Sequence, residues 1–202
     1  MGKREESKER NRSEILKAAQ KVFLEKGYHS ASVADIINGT DLARGTFYLY
    51  FKDKSEVFRS MMSRLYELMQ KFIENLETTG FTDNAEILLL LKKTTIQFFL
   101  ILQRNRDLVQ IVLLTPFGYD SKFDKDIEKY NNLLINNIAK MLQKANDRNQ
   151  IKANPEIYAR LIYGGIKELA MYSLKYRNLE PLSDNEADEV VKFFAFGFIR
   201  KP

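Results

Sequence analysis

Seven residues between positions 32 and 54 suit an anionic partner rich in hydrogen-bonding edges: Ser32, Arg44, Gly45, Thr46, Tyr48, Tyr50 and Lys54. Arg44 can grip a guanine edge through two hydrogen bonds or sit on a phosphate. Tyr48 and Tyr50 offer hydroxyls to phosphates and rings to thymine methyls, and Thr46 can do either at shorter reach. Gly45, lacking a Cβ, lets the backbone approach a phosphate closely. Ser32 and Lys54 each stand at an expected helix start, where free N–H groups favour an anion. The competing readings are internal packing for Tyr48 and Tyr50 and a solvated charge for Arg44.

To present these residues the chain must set them on short, firmly held helices. Residues 32–54 read as two short helices joined by a tight turn, the second carrying Arg44 to Tyr50. A helix-turn-helix of this kind lays its second helix in the major groove of DNA. Ser32 with Asp35 three residues on forms a capping-box pattern. Phe47 and Phe51 are expected in the core. Asp41 is expected to carry the turn through its tolerance of the left-handed conformation. Ala43 has no side-chain acceptor with which to cap the second helix. A supporting helix is expected from Asn11 to Lys26, with Ile15, Ala18, Ala19, Val22 and Phe23 on one stripe and Gly27 as its stop. Before it, Lys3, Arg4, Lys8, Arg10 and Arg12 alternate with Glu5, Glu6 and Glu9, and read either as an arm toward neighbouring phosphates or the minor groove or as a solvated tail.

The rest of the chain repeats helical periodicity between few breakers, four prolines and nine glycines in all, so the expected class is all-α. Asp53-x-x-Glu56 opens a long amphipathic helix from Val57 to about Leu76. That helix leaves no flexible linker, so it would carry motion to the second short helix as a rigid rod. Asp83-x-x-Glu86 opens a fifth helix, and a sixth runs from about Asp107 to Leu114. Pro116-Phe117-Gly118 breaks the chain, and a seventh helix spans about Ser121 to Asp147. Asn154-Pro155 starts an eighth that reaches Tyr176, and Ser183-x-x-Glu186 starts a ninth. The expected division is residues 1–54 and 55–202.

From Ile15-Leu16-x-Ala18-Ala19-x-x-Val22-Phe23-x-x-x-Gly27-Tyr28 through Ser32-Val33-x-x-Ile36 to Gly45-Thr46-Phe47-Tyr48-x-Tyr50-Phe51-x-x-Lys54-x-x-Val57, the chain resembles the TetR (tetracycline-repressor-like) family of transcription regulators. Two departures stand out: Thr40-Asp41 replaces the usual Ala-Gly of the turn, and Ala43 replaces the usual Ser or Thr. The resemblance implies nine helices, a three-helix DNA-binding domain and a C-terminal helical domain for ligand binding and dimerisation. It implies a homodimer on a palindromic double-stranded operator, most simply a repressor released by an apolar or amphipathic small molecule. It also places an effector pocket among helices four to seven, where Met62, Tyr66, Met69, Phe98, Phe99, Leu102, Phe117 and Tyr130 are candidate lining residues; solid core is the alternative. Leu161, Ile162, Gly165, Leu169, Phe193, Phe194 and Gly197 on helices eight and nine are the implied dimer interface. Helical glycines cost about 1 kcal/mol each against alanine, which independently suggests close helix contact. The rival functions are an activator or a regulator controlled by a protein partner, and a helical enzyme or lipid carrier on the same fold.

Composition narrows these choices. Cysteine is absent and histidine occurs once, so thiol chemistry, cysteine-bound metals and histidine clusters have no material. No cofactor, metal or catalytic activity is expected, and His29 is expected to be a surface loop side chain. Net charge is +5, and residues 1–59 contribute 12 Lys/Arg against 9 Asp/Glu, a difference of +3. The basic excess therefore sits with the motif, as an anionic partner requires. The charged start does not resemble a signal peptide, and the apolar stretch from Ile87 to Leu102 is too interrupted to span a bilayer. No membrane association is expected, and a cytoplasmic location is.

Overall fold

The computed structural model describes residues 2–77, 84–115, 118, 121–148, 151–152 and 154–198. Among these are nine helices and no strand: α1 (Lys3–Lys26), α2 (Val33–Asn38), α3 (Arg44–Tyr50), α4 (Lys54–Glu77), α5 (Asn84–Arg104), α6 (Arg106–Leu114), α7 (Ser121–Asp147), α8 (Pro155–Tyr176) and α9 (Asp184–Phe198). The all-α expectation holds. The expected helix opener Asp83 and the chain-breaking Pro116 and Phe117 lie outside the described residues. No described helix is long and apolar enough to cross a membrane.

One boundary differs. α1 starts at Lys3 rather than Asn11, so the charged run is helix, not tail. Lys, Arg and Glu are good helix formers, Glu6 and Arg10 stand at i,i+4, and Glu5 and Glu6 lie in the first turn where the helix dipole favours them.

The helices divide into two packed units, residues 1–65 with 107–128 and residues 66–106 with 129–202. This packing division differs from the one at residue 54 drawn from the sequence. α6 and the first turns of α7 pack in the same unit as the helix-turn-helix, because Phe123 sits in its aromatic core. Tyr28 meets Phe123 at 4.6 Å between ring centroids, Phe58 at 5.1 Å and Phe23 at 5.4 Å. Tyr28, Phe58 and Phe123 are almost wholly buried. Ion pairs surround this core: Lys122 with Asp53 at 3.1 Å, and Arg59 with Asp126 at 3.2 Å. Burial pushes the Asp53 carboxyl up, but the Glu56 N–H and the Lys122 ammonium outweigh it and leave it below the ordinary value.

In the second unit, α5 packs against α9. Phe99, Leu182 and Ala187 form one buried cluster, flanked by Ile96, Phe98 and Leu169. Ile135, Leu142 and Ala159 form another, with Ile138 and Ile162 against it. Lys92 joins the two helices through Asp184 at 3.3 Å and Asp188 at 3.0 Å. Asn154 caps α8 by accepting from the Ile157 N–H, and Ser183 with Glu186 caps α9, as expected. Between these helices Asn178 and Leu179 take φ of 55° and 56°, a conformation L residues seldom adopt. The fully buried Leu179 side chain and its N–H bond to the Ser173 carbonyl hold them there.

Candidate nucleic-acid interface

The α1–α2 connection is fixed from several sides. Gly27 stops α1 with φ 76° while its N–H bonds the Phe23 carbonyl. The Ser32 hydroxyl accepts from the Asp35 N–H at 3.1 Å, and the Asp35 carboxylate accepts from the Ser32 N–H at 2.9 Å, closing the capping box. Lys26 pairs with the same carboxylate at 2.5 Å. That ammonium and the Ser32 donors hold the Asp35 carboxyl well below the usual carboxylate range.

Lys54 supplies the strongest tie. Its ammonium donates to the carbonyls of Tyr28 at 2.9 Å, His29 at 2.8 Å and Ala31 at 2.8 Å, and lies 4.8 Å above the Tyr28 ring. Three lysine protons on three backbone acceptors leave no N–H to aim outward. Lys54 was expected on a phosphate; the structure turns its ammonium onto these carbonyls, whereas Ser32 stays exposed with its hydroxyl engaged in the capping box. Arg12 also turns inward, donating to Ser60 Oγ and lying 5.5 Å from the Phe51 ring centroid. His29 is half-buried and meets the Phe123 ring edge-on at 5.4 Å, so it is not the loop surface residue expected.

The turn between α2 and α3 also differs from expectation. Among the described residues only Asn178 and Leu179 combine a side chain with positive φ, so Asp41 is not left-handed. Thr40 makes the turn instead: its hydroxyl donates to the Ile37 carbonyl at 2.8 Å and accepts from the Leu42 N–H at 3.3 Å. The Asp41 N–H donates to Glu14 on α1 at 2.8 Å. A hydroxyl thus replaces the conformational freedom a glycine would bring.

α3 follows Ala43, an N-cap with no side-chain hydrogen bond, and buries one side chain, Phe47. Phe51 follows it into the core, as expected. Arg44, Gly45, Tyr48 and Leu49 are exposed, and Thr46 and Tyr50 are half-buried. A seven-residue helix anchored by one phenylalanine and carrying an arginine and a tyrosine outward is built to be read from outside. Residues 15–61 match the profile of bacterial regulatory proteins of the tetR family. Over these residues the chain is similar to that family. The regulator YdgC of Bacillus subtilis is 29% identical over 118 residues, 56% of this chain and 59% of that protein. The aligned segments span 23% to 59% of the length of the first curated relatives.

Solved structures share the fold over nearly the whole length. SmeT of Stenotrophomonas maltophilia bound to triclosan superposes with a TM-score of 0.78 at 19% identity, covering 95% of this chain and 92% of that one. FadR of B. subtilis bound to stearoyl-CoA gives 0.74 at 20% identity, covering 92% and 98%.

The residues expected to line an effector site are partly accounted for as core. Phe99 is wholly buried in the cluster with Leu182 and Ala187, and Met62, Met69 and Leu102 are also buried. Tyr66 and Tyr130 meet at 5.8 Å, and Asn137 donates to the Tyr66 hydroxyl at 3.3 Å. Phe98 is half-buried beside Phe72, and Phe117 lies outside the described residues.

The expected interface residues of α8 and α9 sort into two sets. Ile162 and Leu169 pack into the unit's own clusters. Gly165 faces Phe194 of the same chain, since a Cβ there would stand 3.0 Å from the Phe194 ring. The closeness that glycine signals is therefore met within the chain itself. Leu161 and Phe193, in contrast, are 61% and 75% exposed. Ile157, Tyr172 and Tyr176 share that exposure and were missed, although the pairs 157/161 and 172/176 each stand at i,i+4. Gly197 lies on α9.

Proposed function

We propose that this chain is a DNA-binding transcription regulator acting as a homodimer, a repressor whose operator affinity falls when an apolar or amphipathic molecule binds its second unit. The observation that carries the reading is the outward face of α3, with Arg44, Gly45 and Tyr48 exposed on a helix-turn-helix of the tetR family. Arg44, Gly45, Thr46, Tyr48 and Tyr50 are the DNA contacts in this reading, with Ser32 and Lys54 holding the scaffold behind them. Gel shift against genomic fragments tests it: a folded, full-length chain that retards no fragment is not such a regulator.

Dimerisation is supported by the row of exposed apolar residues Ile157, Leu161, Tyr172 and Tyr176 on α8 with Phe193 on α9. A row of exposed apolar side chains along one helix marks a partner-binding surface, and a twofold pair of recognition helices is what a palindromic site requires. Phe193→Glu should give a folded monomer with weakened operator binding; an unchanged sedimentation coefficient rejects this face. The effector reading draws support from the ligands of two solved neighbours, the amphipathic stearoyl-CoA and the hydrophobic aromatic triclosan. The site would be built on Tyr66, Met69, Phe98, Leu102 and Tyr130. A long-chain acyl-CoA or a hydrophobic aromatic should raise the melting temperature, as any ligand selective for the native state must. It should also release the operator, by preferring the state that does not bind DNA.

A further inference from the structure

The outward face of α3 is not uniformly polar. Leu49 is 82% exposed, the most exposed large apolar side chain among the described residues. It stands four residues after Gly45, and a helical side chain leans back over the turn before it, so Leu49 overlies the glycine. Nothing lies within 4 Å of the position a Gly45 Cβ would occupy. Arg44 and Tyr48 form the adjacent i,i+4 row. An apolar row of Leu49 over bare backbone therefore runs beside a row of hydrogen-bonding groups.

We propose that Leu49 is a specificity-determining residue that reads the C5-methyl of a thymine in the operator half-site; this rests on the DNA-binding reading above. The thymine methyl is the apolar group on the major-groove edges of the base pairs. Hydrogen bonding by Arg44 and Tyr48 cannot recognise it, whereas a leucine with no neighbour on its outer side can close on it and drive water from both surfaces. Exposure of the leucine in the free chain is then a feature of the surface that meets DNA, and its partner is a methyl group rather than a charge.

The test uses the full-length chain and a duplex it selects from a random-sequence pool. Each thymine of the half-site is replaced singly by uracil, which deletes the methyl alone, and Kd is measured for wild type and Leu49→Ala. At one position uracil should weaken wild-type binding about three- to tenfold. Leu49→Ala should weaken binding to the thymine duplex by a similar factor and make no distinction between thymine and uracil there. Its melting temperature should match wild type, since the side chain is solvent-exposed. Uracil tolerated at every position, or a uracil penalty that persists in Leu49→Ala, overturns the proposal. So does a Leu49→Ala chain that binds every duplex as wild type does and changes only an association with protein. If the wild-type chain enriches no duplex at all, the regulator reading itself fails first.

Discussion

The α1–α2 connection and α3 lie within a few residues of each other and are held in opposite ways. Around the connection a glycine cap, a capping box, a wholly buried tyrosine and a lysine on three carbonyls fix residues 27–35. α3 has an uncapped first turn and one buried side chain. The contrast separates scaffold from reader: polar groups that look alike in the sequence are spent inside the fold in one place and left outward in the other. Lys54 and Arg44 are both cations flanking a helix start, yet only Arg44 is exposed.

Breaking the scaffold side should have the largest effect. Tyr28 is 1% exposed, packs on Phe23, Phe58 and Phe123, and donates to Ser55 at 3.3 Å. Tyr28→Ala should cost about 3–5 kcal/mol of stability through the cavity it leaves, seen as a lower urea midpoint. A loss under 1 kcal/mol would mean that this aromatic core does not hold the unit together.

Lys54→Ala comes next, and separates scaffold from reader most sharply. Stranding three carbonyls should cost about 1–3 kcal/mol. Because the ammonium already binds backbone oxygens, the slope of log K against log salt should stay at its wild-type value, whereas losing a phosphate contact flattens it by about one. Arg44→Ala should do the reverse, leaving the urea midpoint within about 0.5 kcal/mol of wild type while changing discrimination or the salt slope.

This contrast also marks where the sequence was legible. Capping boxes, helix stops and apolar stripes involve residues three or four apart, so Ser32 with Asp35, Gly27 and Ser183 with Glu186 could be read directly. Lys54 reaches carbonyls more than twenty residues away, and Phe123 enters a core some ninety residues earlier in the chain. No local spacing announces such contacts. The turn shows the same limit in small: Asp41 was the visible substitute for glycine, but the hydroxyl of Thr40 closes the turn. Gly165 was rightly read as a close approach, and only the folded chain reveals that its own Phe194 makes it.

Strengthening the reader should erase part of the difference at a smaller magnitude. Ala43 already has the extended backbone of an N-cap, φ −66° and ψ 149°. Ala43→Ser places a hydroxyl where it can accept an N–H of the first turn, and should raise stability by about 1 kcal/mol. Operator affinity should not fall, because Ala43 precedes the reading face; a destabilised variant would show that the helix start is strained rather than merely uncapped.

The smallest effect should appear on acidification and should come from the scaffold. Asp35, tied to Lys26 and Ser32, and Asp53, tied to the Glu56 N–H and Lys122, are both held below the ordinary carboxylate value in the fold. A carboxyl with a lowered folded pKa binds its proton more readily in the unfolded chain. Its stabilising contribution is complete above the unfolded value near 4 and is lost as pH falls from there through the folded value. Both pairs are solvent-accessible and screened, so each contribution is modest. Asp35→Asn should therefore lower the melting temperature at pH 7 and reduce its dependence on pH below 4, and Asp53→Asn should do so to a lesser degree. Arg44→Ala, which leaves the Asp35–Lys26 and Asp53–Lys122 pairs intact, should leave that dependence as in wild type. Parallel curves for wild type and Asp35→Asn below pH 4 would mean that the capping box contributes through its geometry and not through its charge.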